Sequence, residues 1–269
     1  MKKLLGFFKG TYSAIVFLFL YAPIAVLIIF SFNESKSRGN WGGFSLKWYE
    51  SLFTDSRIMG ALVNTLFIAI TAALVATVLG TIAAIGINAM RRVPQGLMMN
   101  VTYLPVLNAD IVTGVALLVL FLFLSIPLGY VSLLLSHITF NTPYVILSVL
   151  PKLKQMNKYS YEAALDLGCT PLRAIWKVVV PEIMPGVISG AILAFTLSID
   201  DFVISFFTTG PGVNTLSIEI YSMVRRGIKP EINALSSIMF VAVLALLVII
   251  NVRSVREEKR KSGGGSYLK

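Results

Sequence analysis

The chain has 269 residues, 56% of them hydrophobic and only 13% charged, with a mean hydropathy of +0.81. Soluble domains carry about a quarter charged residues, so this composition excludes a soluble globular protein and predicts an all-α integral membrane protein. The formal net charge of +10 is then read first as topology, with no nucleic-acid partner required.

Six stretches have the length of membrane spans, about 20 apolar residues each: Ser13–Phe32, Ala61–Ala89, Leu97–Leu124, Gly129–Leu150, Met184–Phe207 and Asn233–Val252. Lys2, Lys3 and Lys9 precede the first as in a secretory signal. Its apolar run exceeds the roughly 7 to 15 residues of such a signal and no small-x-small cleavage site follows, so it is expected to be retained. Pro23 in the first span and Pro105 in the third remove backbone donors and mark expected bends, either packing kinks or borders of a pathway. In the loop after the first span, Trp41 and Trp48-Tyr49 suit the interfacial aromatic belt. The sharper reading places Trp48 in the substrate path, receiving a cation at the mouth by cation–π attraction worth roughly 0.5 to 2 kcal/mol.

In the second span Ala72, Ala76, Gly80 and Ala84 recur every fourth residue, a small-residue ridge that predicts close approach by another helix. His137, alone in the fourth span, is expected to be a hydrogen-bonded interior residue, since a metal site needs more ligands than its surroundings offer. Three acids lie within the apolar stretches: Asp110, and the adjacent Asp200-Asp201. An Asp at a helix centre costs about 2.5 to 3.5 kcal/mol on insertion scales, so these acids are expected to face water, a partner's cation or a cationic ligand. A carboxylate-lined path with aromatics suits a flexible organic polycation.

Lys and Arg residues number 16 on the N-terminus, the second loop, the fourth loop and the tail, against 7 on the other three loops. The asymmetry predicts that both termini and the loop between the fourth and fifth spans are cytoplasmic. Residues 1–252 are thus expected to form a polytopic membrane domain and residues 253–269 a basic, flexible cytoplasmic tail that meets anionic lipid headgroups. No G-x-x-x-x-G-K-[ST] phosphate loop occurs, so any ATP-driven work needs an ATPase on another chain. No cofactor is expected on this one. The single Cys169 excludes an internal disulfide.

Within the cytoplasmic loop 151–183, Tyr159–Leu167 reads as a helix, Gly168 as its left-handed terminator, Thr170 as the cap of the next helix and Pro171 as its first turn. Beyond it, Leu172, Ile175, Trp176 and Val179 have the spacing of an apolar stripe, with Arg173 and Lys177 off it. Glu162-Ala163-Ala164, three residues, Gly168, nine residues and then Val178-x-Val180-Pro181 resembles the EAA loop of ABC importer permeases, with Val in place of the family's Ile and Leu before the proline. The stretches NADIVTGVALLVLF, LLLSHITFNTPYVI, FTLSIDDFVISFFTTGP and IYSMVRRGIKPEINAL resemble more narrowly the C-type permease subunit of spermidine/putrescine ABC importers.

The resemblance implies a type I importer permease fold with six transmembrane helices. It implies pairing with a homologous B-type permease, two cytoplasmic ATP-binding subunits and an extracytoplasmic polyamine-binding protein. Glu162, Ala163, Ala164, Gly168 and Pro181 would then couple to the ATPase, and the chain would be a transport subunit without an ATPase of its own. The rivals are an ABC permease for another solute, with an anion cargo disfavoured by the acids, and an ion-coupled secondary transporter using the acids as a relay.

Overall fold

The computed structural model describes residues 2–35, 40–226 and 230–242, with residues 244, 245 and 248. Regular structure among them is helical: α1 (Lys2–Ser31), α2 (Lys47–Thr54), α3 (Ser56–Ala89), α4 (Arg92–Leu107), α5 (Asp110–Phe123), α6 (Tyr130–Gln155), α7 (Lys158–Asp166), α8 (Pro171–Ala174), α9 (Val180–Asp200), α10 (Val203–Thr208) and α11 (Leu216–Arg226). A last helix, α12, covers Glu231–Ala242. Among the described residues four helical stretches are long and apolar enough to cross a membrane, or five if the bent pair α4–α5 counts as one span. The sixth expected span, Asn233–Val252, begins as α12; most of the rest, and the tail 253–269, lie outside the described residues.

The chain divides into two compact units, Met1–Met59 with Ser222–Lys269, and Gly60–Tyr221. In the first, α1 carries an apolar 18-residue window within Gly10–Ser31 in which no residue is buried, while Ser31 at its end is buried against Tyr49. The loop after it is organised by Asn33, whose Nδ2 donates to the Asn40 carbonyl at 2.9 Å and whose Oδ1 accepts from the amides of Gly42 at 2.8 Å and Ser35 at 3.2 Å. A buried polar side chain is favourable only with its bonds made. Here one Asn closes the loop from both sides. Asp55 caps α3, its Oδ1 accepting from the Arg57 amide at 2.9 Å.

The second unit is built on α6. The ridge predicted on α3 is observed, with Ala72, Ala76 and Ala84 fully buried. A Cβ on Gly80 would lie 2.7 Å from the Val145 side chain, so only glycine permits this approach to α6. Val145, Val149, Leu150 and Leu153 of α6 then share a core with Ile183 and Ala194 of α9.

Two expected spans are not single helices. Leu97–Leu124 is split into α4 and α5, bent by 106°, with Asn108 and Ala109 both extended. Pro105 removes one amide from the last turn of α4, which lowers the cost of ending the helix there. The next break replaces the expected Met184–Phe207: the helix starts earlier, running as one element over Pro171–Asp200, and stops at Asp200 before the separate α10. The cause is Asp201, whose Oδ1 accepts from the Ile204 amide at 3.3 Å and Oδ2 from the Ser205 amide at 2.7 Å. Those contacts start a new helix and compete with continuation of the old one.

Candidate functional site

The elbow between α7 and α8 is built as its residues dictate. Asn157 caps α7, accepting from the Tyr159 amide at 3.1 Å. At the other end Gly168 has φ +83°. Its amide donates to the Leu165 carbonyl at 2.9 Å while the Cys169 amide donates to Ala164 at 3.0 Å. These two bonds make a complete Schellman termination, and the positive φ is what requires glycine. Thr170 occupies the cap position of α8 with Pro171 in its first turn, but its side chain makes no capping bond, contrary to the sequence expectation. Its backbone carbonyl alone receives the Ala174 amide, at 2.9 Å.

After α8 comes one π-helical turn, Ile175–Val179, directly before Pro181. Proline has no amide to return and its ring crowds the carbonyl four residues back; a wider turn relieves that crowding. The inserted turn also breaks the expected apolar stripe, because it rotates the register. Val179 enters the core while Leu172 and Trp176 stay outside. The latter two line, with Val78 and Ile82 of α3, an apolar groove of about 540 Å³. Of the EAA residues, Glu162 and Ala163 are exposed, Ala164 is buried and Pro181 is exposed. Leu167 and Leu172, at the tip of the elbow, are 87% and 68% exposed, an apolar knuckle that nothing in its own unit covers.

The three acids gather at the two breaks. Asp110 is exposed in the first turn of α5, where a carboxylate is favoured by the helix dipole. Asp200 is exposed at the last turn of α9, and the Asp201 side chain, 6% exposed, turns inward to cap α10. Because α5 and α10 pack through Leu117, Phe121 and Ile204 with Phe140 of α6, the breaks are neighbours. Asp200 lies within electrostatic range of both Asp201 and Asp110, and Asp110 within range of the Tyr144 hydroxyl.

Behind the acids lies a polar cluster that the sequence reading missed except for its centre. His137 is 1% exposed. Its Nδ1 is 3.1 Å from Ser198 Oγ and its Nε2 is 3.0 Å from Ser205 Oγ. Asn141 Nδ2 donates to the same Ser198 hydroxyl at 2.7 Å. The available signal was the i, i+4 pair His137 and Asn141 on one helix face, opposite serines flanking the acidic pair. Trp48 belongs to the other unit. Its ring is 4% exposed, its indole N–H donates to the Asn33 carbonyl at 2.7 Å, and the Lys47 ammonium lies 5.8 Å from the ring centroid.

Known proteins with this architecture and sequence are transport permeases. A chain in the crystal structure of a bacterial ABC transporter involved in the import of the acidic polysaccharide alginate superposes with a TM-score of 0.73 at 11% identity, over 94% of this chain and 96% of that one. The spermidine/putrescine transport system permease protein PotC of Escherichia coli (strain K12) is 38% identical over 257 residues, covering 96% of this chain and 97% of the relative. The putrescine transport system permease protein PotI of the same strain is 41% identical over 253 residues, covering 91% and 90%. The family model for the inner membrane component of binding-protein-dependent transport systems matches residues 76–255. With the helical permease fold, the elbow and these likenesses together, the chain belongs to the family of binding-protein-dependent transport system inner membrane components.

Proposed function

We propose that this chain is the permease subunit of an ATP-driven importer of polyamines such as spermidine and putrescine. The observation that carries the cargo is the pair of exposed carboxylates, Asp110 and Asp200, brought together at two helix breaks with Asp201 behind them. The fold by itself is neutral on this point, since its structural likeness includes a transporter for an acidic polysaccharide. Relatives at 38% and 41% identity that are named for spermidine and putrescine support the same cargo.

In this reading Asp110 and Asp200 replace part of the water around a passing ammonium group, and Asp201 deepens the negative potential while holding the break in shape. Trp48, expected from the sequence to receive a cation, instead anchors its own loop, in which its ring is buried. The elbow, with Glu162, Ala163 and Pro181 outward and Gly168 setting the turn, docks in a groove of a cytoplasmic ATPase, and Ala164 sets its internal packing. A second permease of the B type completes the path, two ATP-binding subunits supply ATP hydrolysis, and a soluble polyamine-binding protein delivers cargo. Both termini are cytoplasmic, supported by the 16 to 7 distribution of basic residues.

The test is radiolabelled polyamine uptake divided by the amount of assembled complex. Asp110→Asn and Asp200→Asn keep side-chain size and delete the attraction, so each should lower uptake at least about tenfold. Unchanged normalised uptake in both would reject the cation path.

A further inference from the structure

The break that presents Asp200 is held by one ring from another helix. His137 stands on α6 and reaches Ser198 on α9, before the break, and Ser205 on α10, after it, at 3.1 and 3.0 Å. Its Nε2 is also 3.7 Å from Asp201 Oδ2, the carboxylate that caps α10. A carboxylate beside Nε2 favours the ring proton on that nitrogen. The Nε2–H then donates to Ser205, the Ser198 hydroxyl donates to Nδ1, and Ser198 accepts from Asn141. Ser198, Ser205, Asn141 and His137 are all 3% exposed or less, so each lost bond would leave a buried polar atom unpaired.

We propose that His137 is a positioning residue for transport: bridging Ser198 and Ser205, it clamps α9 to α10 and fixes the direction in which Asp200 presents its carboxylate to the passing cation. Asp200 lies two residues from Ser198 and five from Ser205, so its backbone is pinned on both sides. The residue touches no cargo. Its role rests on the cation-path reading of Asp200 and extends it to the residue that aims that carboxylate.

The experiment is a double-mutant cycle in the assembled transporter, read as polyamine uptake per complex. His137→Phe keeps ring volume and removes every bond, and should lower normalised uptake about tenfold, from the loss of two buried contacts. Asp200→Glu keeps the charge but displaces it by one methylene, leaving a moderate defect. If His137 works by aiming Asp200, then His137→Phe added to Asp200→Glu costs less than a further twofold or so, because the carboxylate is already misplaced. His137→Gln, with a donor and an acceptor, should recover part of the lost uptake. Where His137→Phe fails to assemble, Ser198→Ala combined with Ser205→Ala removes the same bonds from the other side and takes its place in the cycle. Losses that multiply in full would overturn the positioning role while leaving the cation path intact. Normal uptake by Asp200→Asn would overturn the positioning role, and normal uptake by Asp110→Asn as well would bring down the cation path with it.

Discussion

The elbow at Gly168 and the break at Asp201 both interrupt the chain between two helices, yet they are held in opposite ways. At Gly168 the turn is closed by bonds to carbonyls three to five residues back in the same chain segment, and its tip carries exposed apolar side chains. At Asp201 the local cap is joined by a clamp from His137, more than 60 residues away in sequence. A turn made from its own backbone tolerates being pushed as a body by a partner. A turn held by another helix moves only when that helix moves with it.

The largest expected effect separates the two directly. Gly168→Val places a β-branched residue at φ +83°, a conformation costing it about 1 to 2 kcal/mol or more. The ATPase should no longer copurify and uptake should fall to background, with the protein still inserted in the membrane. Normal association and uptake would dissolve the distinction drawn for the elbow. Next in size is Asp201→Ala, which removes the cap of α10 and should lower the stability of the purified complex by about 1 kcal/mol in thermal unfolding. Asp201→Asn, still a good capping residue, should stay near the unmodified protein in stability. If both variants melted alike, the cap would not be what holds the break.

Glu162→Lys should act on association alone: a reversed charge on an exposed site weakens ATPase binding several-fold, and the defect shrinks as salt is raised. The smallest effect is at a purely local cap away from both turns. The Arg57 side chain, bonded to Asp55, holds the Asp55 carboxyl below the usual carboxylate range, helped by the Arg57 and Ile58 amides. A lowered acid stabilises the folded form above its ordinary pKa, and that contribution fades as pH falls through the lowered value. Asp55→Ala should therefore cost about 0.5 kcal/mol or slightly more near neutral pH and nothing in strong acid, measured as the difference in melting temperature across pH.

How legible each region was follows from the same contrast. The elbow was readable because Gly168, Pro171 and the EAA spacing act through neighbours in the chain; only the Thr170 side chain and the register after Ile175 departed, the latter because Pro181 forces a wider turn. The breaks were not. Averaged over a span, hydropathy stays high across Leu97–Leu124 and Met184–Phe207, and the acids inside them read as groups for a cation or a partner, with no sign that Asp201 would capture the amides ahead of it. Pro105 gave the neighbourhood of the first break but not its 106°. His137 was readable as an interior hydrogen-bonded residue; its partners were not, since they lie on helices whose register only packing determines.

The segment Pro171–Asp200 leaves the elbow and ends at the acid pair as one helical element of 30 residues, about 45 Å at 1.5 Å per residue. It is a connecting rod. One end adjoins the knuckle that the proposed ATPase would grip and the other carries Asp200, so a displacement along the rod's axis at the knuckle would arrive at the carboxylate without passing through any loop. One irregular joint is the π-helical turn at Ile175–Val179, close to the knuckle. Under the proposed coupling, a stroke delivered at the knuckle would divide between unwinding that turn and moving Asp200, so the stiffness of these five residues would set the gear ratio.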